Sequence, residues 1–128
     1  MKAPHPLTAA ALLALAALTT VLAGCDSGAK PPPGVQGDPD LGKLALTQYA
    51  CQSCHKIPGV IGSEVFVGRP LEGLARRRFI AGNLLNNQDN LIRWIRDPQS
   101  VYPETAMPNL GVSEKDARNI SAYLLTLD

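Results

Sequence analysis

Five consecutive residues, Cys51-Gln52-Ser53-Cys54-His55, constrain the fold of this chain more than any other segment. They place two thiols about one helical turn apart and an imidazole directly after the second thiol. The chain has 128 residues, enough for one small domain, and only 5% of them are aromatic. Because aromatic rings supply much of the buried area in a small core, such a domain needs a disulfide, a metal, a cofactor or a partner for support. The motif is the candidate source of that support.

The spacing C-x-x-C-H is the attachment signature of haem c. Each thiol can add to one haem vinyl group, and the following imidazole then meets the iron from the same side. A thioredoxin-like redox pair is the competing interpretation, but that motif belongs beside a βαβ unit, and no strand pattern of useful length is present. A zinc site would need a second ligand pair. The remaining candidates are excluded, because His5 belongs to a segment that we expect to be removed and Cys25 is expected to carry a lipid, as described next. We therefore expect one covalent haem c on Cys51 and Cys54, with His55 as an iron ligand.

Residues 1–24 have the pattern of an export signal, which removes His5 from the mature chain. Their apolar stretch is shorter than the about 20 residues of a membrane-spanning helix and ends in small residues. The sequence Leu22-Ala23-Gly24-Cys25 resembles the lipobox of bacterial lipoproteins, which implies that Cys25 is lipidated and becomes the first mature residue. An ordinary secreted protein with a chance cysteine at this point is the alternative. In many such lipoproteins an aspartate at the next position, here Asp26, implies retention at the inner membrane, so we expect the periplasmic face of the cytoplasmic membrane.

Residues 25–38 are predicted to be the lipidated cysteine and a flexible tether rich in Pro and Gly, and residues 39–128 the folded domain. The tether holds one sizeable apolar side chain, Val35, and cannot bury enough surface to offset the entropy of its own ordering. The chain has 12 basic and 11 acidic side chains. This balance does not favour nucleic acid as a partner.

Four helical segments predict an all-α domain. The first opens at Asp38-Pro39, where a proline lacking its N–H is harmless. The second is a short helix near Leu71–Arg77, and the third runs from about Asn87 to a stop before Pro98. The fourth follows Ser113, an expected N-cap with Asp116 three residues later. The predicted apolar face of the first helix is Leu41, Leu44, Ala45, Gln48 and Tyr49, and that of the fourth is Ala117, Ile120, Tyr123, Leu124 and Leu127.

Elimination selects Met107 as the second iron ligand, because removal of Met1 leaves it as the sole methionine and no other histidine remains. It lies in a loop between Pro103 and Pro108, and Pro108 biases it toward an extended backbone. A methionine that only fills a packing gap, or an iron with five ligands, is the alternative. Coordination by histidine and methionine raises the haem potential and favours electron transfer over oxygen chemistry.

From about Asp40 to its end the chain resembles the class I cytochromes c. It is especially similar to the cytochrome c domains attached to subunit II of some terminal oxidases. The motifs that carry the resemblance are Gly42-Lys43 with Leu46, residues 51–55, Leu71-Glu72-Gly73-Leu74, Asn90-Leu91-Ile92-Arg93-Trp94-Ile95, Pro103 to Pro108, and Ile120 with Tyr123. The resemblance implies three to four helices around one haem c, with Gly42 allowing the C-terminal helix to cross closely.

The resemblance also assigns residues around the haem. It implies that Arg77 and Thr105 contact the propionates and that Trp94 lies beside the haem near the methionine, although a plain core tryptophan is an equal interpretation. The family proline whose carbonyl accepts a hydrogen bond from the ligating histidine is replaced by Arg69. A backbone carbonyl survives this substitution, so we expect Arg69 to be able to serve.

These patterns together predict a membrane-anchored electron carrier of a respiratory chain rather than an enzyme, since no side chain is assigned as acid, base or nucleophile. The expected partners are redox proteins, namely a terminal oxidase and an upstream cytochrome complex, and the membrane through the lipid. The alternatives are a haem subunit of a membrane dehydrogenase complex and a ligand-sensing haem protein.

Overall fold

The computed structural model describes residues 30–128, so the predicted signal segment, Cys25 and residues 26–29 of the predicted tether lie outside the described residues. Within 30–128 the chain forms four α-helices, and this confirms the all-α expectation. They are α1 (Pro39–Gln48), α2 (Gln88–Arg96), α3 (Pro98–Val101) and α4 (Glu114–Leu124). Two 3₁₀ turns, Cys51–Ser53 and Leu74–Arg76, and two paired antiparallel strands, β1 (Phe79–Ile80) and β2 (Leu84–Leu85), complete the described part.

The predicted start of α1 is confirmed. The Asp38 carboxylate accepts hydrogen bonds from the backbone N–H groups of Asp40 and Leu41, and Pro39 occupies the first turn. A carboxylate at this position satisfies N–H groups that have no partner within the helix. Asp38 therefore caps the helix.

The last residues of the predicted tether contact the folded domain. Val35 packs against the core, and the Gln36 N–H donates to Gln88 Oε1 over 2.8 Å. The Asp38 N–H donates to Asn119 Oδ1 over 2.9 Å. The packed part of the chain therefore begins at Val35, ahead of the start expected at residue 39.

Helices α1 and α4 cross at Gly42. A Cβ atom at this position would lie 2.0 Å from the backbone oxygen of Asn119 and 3.0 Å from the backbone nitrogen of Ile120. No side chain fits such a gap, so only glycine allows this approach. The close crossing implied by the family resemblance is therefore present.

The predicted N-cap of α4 is also confirmed. The Ser113 hydroxyl accepts from the Asp116 N–H and donates to Asp116 Oδ2 over 2.7 Å. The same carboxylate oxygen accepts a hydrogen bond of 2.9 Å from the Tyr49 hydroxyl. This contact connects the end of α1 with the start of α4.

The predicted apolar face of α1 is partly wrong. Leu41 and Leu44 are 47% and 54% exposed, whereas Gly42, Ala45 and Leu46 are buried. The crossing at Gly42 decides this, because residues at i, i+3 and i+4 share the face that approaches α4. The stripe of α4 is buried as predicted and packs with residues from the rest of the domain. The buried core consists of Ala45, Leu46, Ile57, Val60, Leu74, Ile80, Leu91, Ile95, Val112, Ala117, Ile120, Tyr123, Leu124, Leu125 and Leu127.

The short helix predicted near Leu71–Arg77 is a single 3₁₀ turn, Leu74–Arg76. Gly73 precedes it at φ +65°, a left-handed conformation that interrupts a right-handed helix. The third predicted helix is confirmed as α2, which ends before Pro98 and whose cap, Asn87, accepts from the Asn90 N–H over 2.9 Å. Pro98 then begins α3, because the fixed φ of proline suits the first turn of a helix. This short helix was not predicted from the sequence. No helix within residues 30–128 combines the length and apolarity needed to cross a bilayer.

Candidate haem site

The turn that carries the two cysteines follows directly from the end of α1. Ala50 adopts a left-handed conformation at φ 54° and turns the chain into the 3₁₀ segment Cys51–Ser53. The N–H groups of Cys54 and His55 both donate to the Cys51 carbonyl, over 3.2 and 3.0 Å. The turn thus brings both thiols and the imidazole onto one short segment. Neither thiol is in a disulfide, both residues are half-buried, and burial raises the pKa of the Cys51 thiol.

The His55 ring is fixed by the backbone of residues 68 and 69. His55 Nδ1 lies 2.8 Å from the Arg69 carbonyl oxygen, and because a carbonyl can only accept, Nδ1 carries the proton. A Cβ atom on Gly68 would lie 2.4 Å from His55 Cε1 and 2.6 Å from Nδ1, so the ring rests on a bare backbone. The opposite nitrogen, Nε2, keeps its lone pair, which is the tautomer that an iron ligand requires.

Arg69 therefore preserves the hydrogen bond that the family makes from a proline. The backbone around it is attached to the cysteine turn, because the Gly68 N–H donates to the Cys54 carbonyl over 2.7 Å and the Leu71 N–H to the Lys56 carbonyl over 2.8 Å. These two bonds place the Arg69 carbonyl without a proline ring. The Arg69 side chain itself is exposed.

Met107 lies in the loop between α3 and α4 and is half-buried. Its carbonyl accepts a hydrogen bond of 2.7 Å from Gln99 Nε2 on α3, and its N–H donates to Thr105 Oγ1 over 3.2 Å. Thr105 thus supports the methionine backbone, and its predicted propionate contact stays a prediction. Gln99 was missed at the sequence level, because a polar residue in an unpredicted helix gives no signal for this role.

Arg77 directly follows the 3₁₀ turn Leu74–Arg76 and reaches back to the preceding loop. Its Nη2 donates to the carbonyls of Pro70 and Glu72, over 2.5 and 2.8 Å. Burial and then the neighbouring charge of Arg69 lower the pKa of Arg77. The guanidinium thereby holds the loop after Arg69 through two hydrogen bonds. The contact of Arg77 with a haem propionate stays a prediction.

Trp94 is half-buried on α2, whereas Leu91 and Ile95 on the same helix belong to the buried core. The predicted position of Trp94 beside the haem is not tested by the described contacts.

Asn86 is a further residue that the sequence did not indicate. Its Nδ2 donates to the carbonyls of Leu74 and Arg77, over 2.7 and 2.9 Å, and so connects the 3₁₀ turn with the strand pair. Its Oδ1 is buried and has no hydrogen-bond partner, and the same holds for Oε1 of Gln52 inside the cysteine motif. Buried polar atoms of this kind need a partner.

The residues present fit haem c. Two free thiols and an imidazole of the required tautomer share one turn, and the bare backbone of Gly68 leaves room for the imidazole ring. The part of the chain from Lys30 onward holds no cluster of three or more His, Cys, Asp or Glu side chains that could bind a bare metal ion. Two thiols followed directly by an imidazole are the donor set of a covalently attached haem.

Comparison with known proteins leads to the same family. The family model described as cytochrome c matches residues 39–128. The chain is 36% identical over 87 residues to cytochrome c oxidase subunit 2 of Alkalihalophilus pseudofirmus, a match that covers 67% of this chain and 25% of that protein. The chain thus spans about a quarter of the length of this curated relative.

A solved structure has the same fold. Cytochrome c2 from Rhodobacter sphaeroides matches with a TM-score of 0.52 and 22% identity, covering 72% of this chain and 97% of that one. The attachment motif, the oriented histidine, the crossing at Gly42 and the family match over residues 39–128 agree. The chain belongs to the cytochrome c family and is a class I c-type cytochrome that binds haem c covalently.

Proposed function

We propose that this chain is a membrane-anchored cytochrome with one haem, which transfers single electrons in a respiratory chain at the periplasmic face of the cytoplasmic membrane. One observation carries the proposal. The His55 ring is fixed by the Gly68 backbone and the Arg69 carbonyl, with Nε2 left as the ligating nitrogen beside two free thiols.

Four side chains are proposed to hold the haem. Cys51 and Cys54 would hold it through thioether bonds, formed as each thiol adds to a vinyl group, and His55 Nε2 and the Met107 sulfur would ligate its iron. When bound, the haem supplies a one-electron couple between ferric and ferrous iron. An iron that binds both His55 and Met107 would have no site left for substrate or oxygen, which favours electron transfer over catalysis. Carbon monoxide tests this directly: the reduced native protein should not bind it, and ready binding would favour a ligand-sensing haem protein instead.

The proposed anchor is a lipid on Cys25, a residue outside the described part of the chain. The experiment replaces residues 1–25 with a cleavable secretory signal. The expected product is a soluble periplasmic protein with an unchanged haem spectrum, whereas the parent stays with the membrane after washing with high salt and carbonate. Cys25→Ser should prevent lipidation while the uncleaved signal keeps the precursor membrane-bound. A replaced protein that still pellets with membranes would show that lipid is not the main anchor.

The proposed electron acceptor is a terminal oxidase. The similarity to a cytochrome c oxidase subunit supports this, because a domain like the present one forms part of that longer chain. Purification of the full chain in mild detergent should recover oxidase subunits or a readily dissociated oxidase. Recovery of dehydrogenase subunits in stoichiometric amounts would instead assign it to a membrane dehydrogenase complex.

A further inference from the structure

The loop that follows the haem motif exposes three large apolar side chains. Ile61 is 96% exposed, Phe66 is 68% exposed and Val67 is 79% exposed, all within seven residues. Single exposed apolar residues are ordinary on protein surfaces, but several large ones exposed on one short loop are typical of a contact surface. We call Ile61, Phe66 and Val67 the apolar loop surface.

The loop is held from below. Tyr123 on α4 donates a hydrogen bond of 2.6 Å to the Pro58 carbonyl, and the buried Ser63 hydroxyl lies 2.8 Å from the Val60 carbonyl. Ile57 and Val60 point into the core, at 1% and 7% exposure. The inward-facing residues therefore fix the loop to the core, and the three side chains of the apolar loop surface are exposed on a backbone that is held in place.

The surface lies next to the oriented histidine. Val67 directly precedes Gly68, whose backbone touches the His55 ring and whose N–H is bonded to the Cys54 carbonyl. A protein that covers Val67 therefore approaches the cysteine turn and the His55 ring. This is where an electron-transfer partner needs to be.

The surroundings are nearly neutral. Lys56 forms an ion pair of 3.5 Å with Glu72, and its ammonium lies 5.9 Å from the centre of the Phe66 ring. Between Ile57 and Gly68 the only charged side chain is Glu64. The exposed Arg69 directly follows Gly68, and the Lys43 ammonium lies near Gly59, so charges of both signs border the surface. Burying an unpaired charge against such a surface is costly, so the complementary face must itself be uncharged.

We infer that the apolar loop surface is the docking site for the redox partner of this cytochrome, a protein with an uncharged, apolar contact face. The inference rests on the proposed function and adds the place and the chemistry of the contact. Because the backbone is fixed by Ser63 and Tyr123, little conformational entropy is lost on docking. Because the three side chains are uncharged and the charges that border them are of both signs and nearly cancel, the docking rate depends little on ionic strength.

The experiment uses the full lipidated chain in detergent, added in reduced form to washed membranes from a strain that lacks it. The triple variant Ile61→Ser, Phe66→Ser, Val67→Thr should raise the half-saturating concentration for reoxidation by about tenfold. The maximal rate, the haem spectrum and the midpoint potential should stay unchanged. The parent rate should vary little across a salt series. The matched control is Leu85→Thr, which changes a leucine that is 55% exposed on β2, outside the loop.

Each other outcome overturns the inference. A triple variant with the parent's half-saturating concentration shows that the partner docks elsewhere. An equal loss in Leu85→Thr, or a steep loss of the parent rate with salt, assigns docking to the basic segment Arg76–Arg78 and the neighbouring strand pair. A parent dimer that the triple variant loses assigns the surface to a second copy of the chain. Reversible electrochemistry of the purified protein distinguishes these results from failure of the proposed function, in which no electron exchange is seen at all.

Discussion

The two sides of the proposed haem site are built differently. On the histidine side, the ligand is held by backbone atoms. His55 packs against Gly68 and donates to the Arg69 carbonyl, and residues 68 and 71 are hydrogen-bonded to the segment of the cysteine turn and Lys56. On the methionine side, a loop stands between two helices, and Met107 is held by one side-chain hydrogen bond from Gln99 and one to Thr105. A ring in close contact with backbone atoms cannot shift without moving that backbone. A loop held by two hydrogen bonds, each contributing about 1 kcal/mol, can open at a much lower cost in free energy. We therefore expect the histidine side to be rigid and the methionine side to be the one that opens.

The largest effect is expected at Gly68. In Gly68→Ala the new Cβ would come 2.4 Å from His55 Cε1, so the ring or the backbone must move. We expect the free energy of unfolding to fall by about 3 kcal/mol, measured by denaturant titration of the haem-loaded protein. Gly62→Ala is the control, because at φ +78° its Cβ would meet nothing within 4 Å, and it should cost about 1 kcal/mol. Equal losses in the two variants would contradict the close packing against His55.

The next effect is expected at the second ligand. Met107→Ala should keep the haem covalently attached through Cys51 and Cys54 but abolish the methionine–iron charge-transfer band. The midpoint potential should fall, because methionine ligation raises it. Absorption spectra and a potentiometric titration measure both quantities. An unchanged band and potential would show that another group ligates the iron.

A smaller effect is expected from the support of the methionine. Gln99→Ala removes the donor to the Met107 carbonyl, at a cost of about 1 kcal/mol to the closed loop. Added imidazole competes with methionine for the iron, so the variant should bind imidazole about fivefold more tightly than the parent. Thr105→Val, which removes the longer contact of 3.2 Å, should give a smaller change. Equal affinities in Gln99→Ala and the parent would show that this hydrogen bond does not hold the loop closed.

The smallest effect is expected where the end of α1 contacts the start of α4, at the hydrogen bond between Tyr49 and Asp116. Hydrogen bonds from Ser113 and then Tyr49 lower the pKa of Asp116 in the folded protein. A carboxyl group with a lowered pKa stabilises the fold above its unfolded pKa of about 3.9, and this contribution is lost as the pH falls through the folded value. Tyr49→Phe should therefore be slightly less stable than the parent at neutral pH, and the difference should vanish in acid.

The control for this pH dependence is Asp116→Asn, which removes the titrating group. Unfolding free energies of the parent and both variants, measured at several pH values, test it. A difference between the parent and Tyr49→Phe that persists below the folded pKa of Asp116 would place the role of the hydroxyl elsewhere.

Much of the fold could be predicted because its signals are local. The caps Asp38, Asn87 and Ser113 act within three residues of themselves, and each begins a helix as expected. The short helix near residues 71–77 could not be predicted, since Gly73 adopts a left-handed conformation that no spacing rule shows. The buried side of α1 also depends on a contact with α4, distant in sequence, and the pattern of leucines alone wrongly placed Leu41 and Leu44 on it.

The same division applies to the site. The sequence by itself determined the covalent chemistry, because C-x-x-C-H places every group that attaches the haem within five residues, and the sole mature methionine identified the candidate for the second ligand. Only the tertiary structure decided how these groups are held. The Arg69 carbonyl, the Gly68 backbone and the Gln99 amide act on residues 8 to 14 positions away, and the residue that each one meets is set by loop geometry. A backbone carbonyl is present at every position of a chain, so the fold alone determines which one orients the histidine.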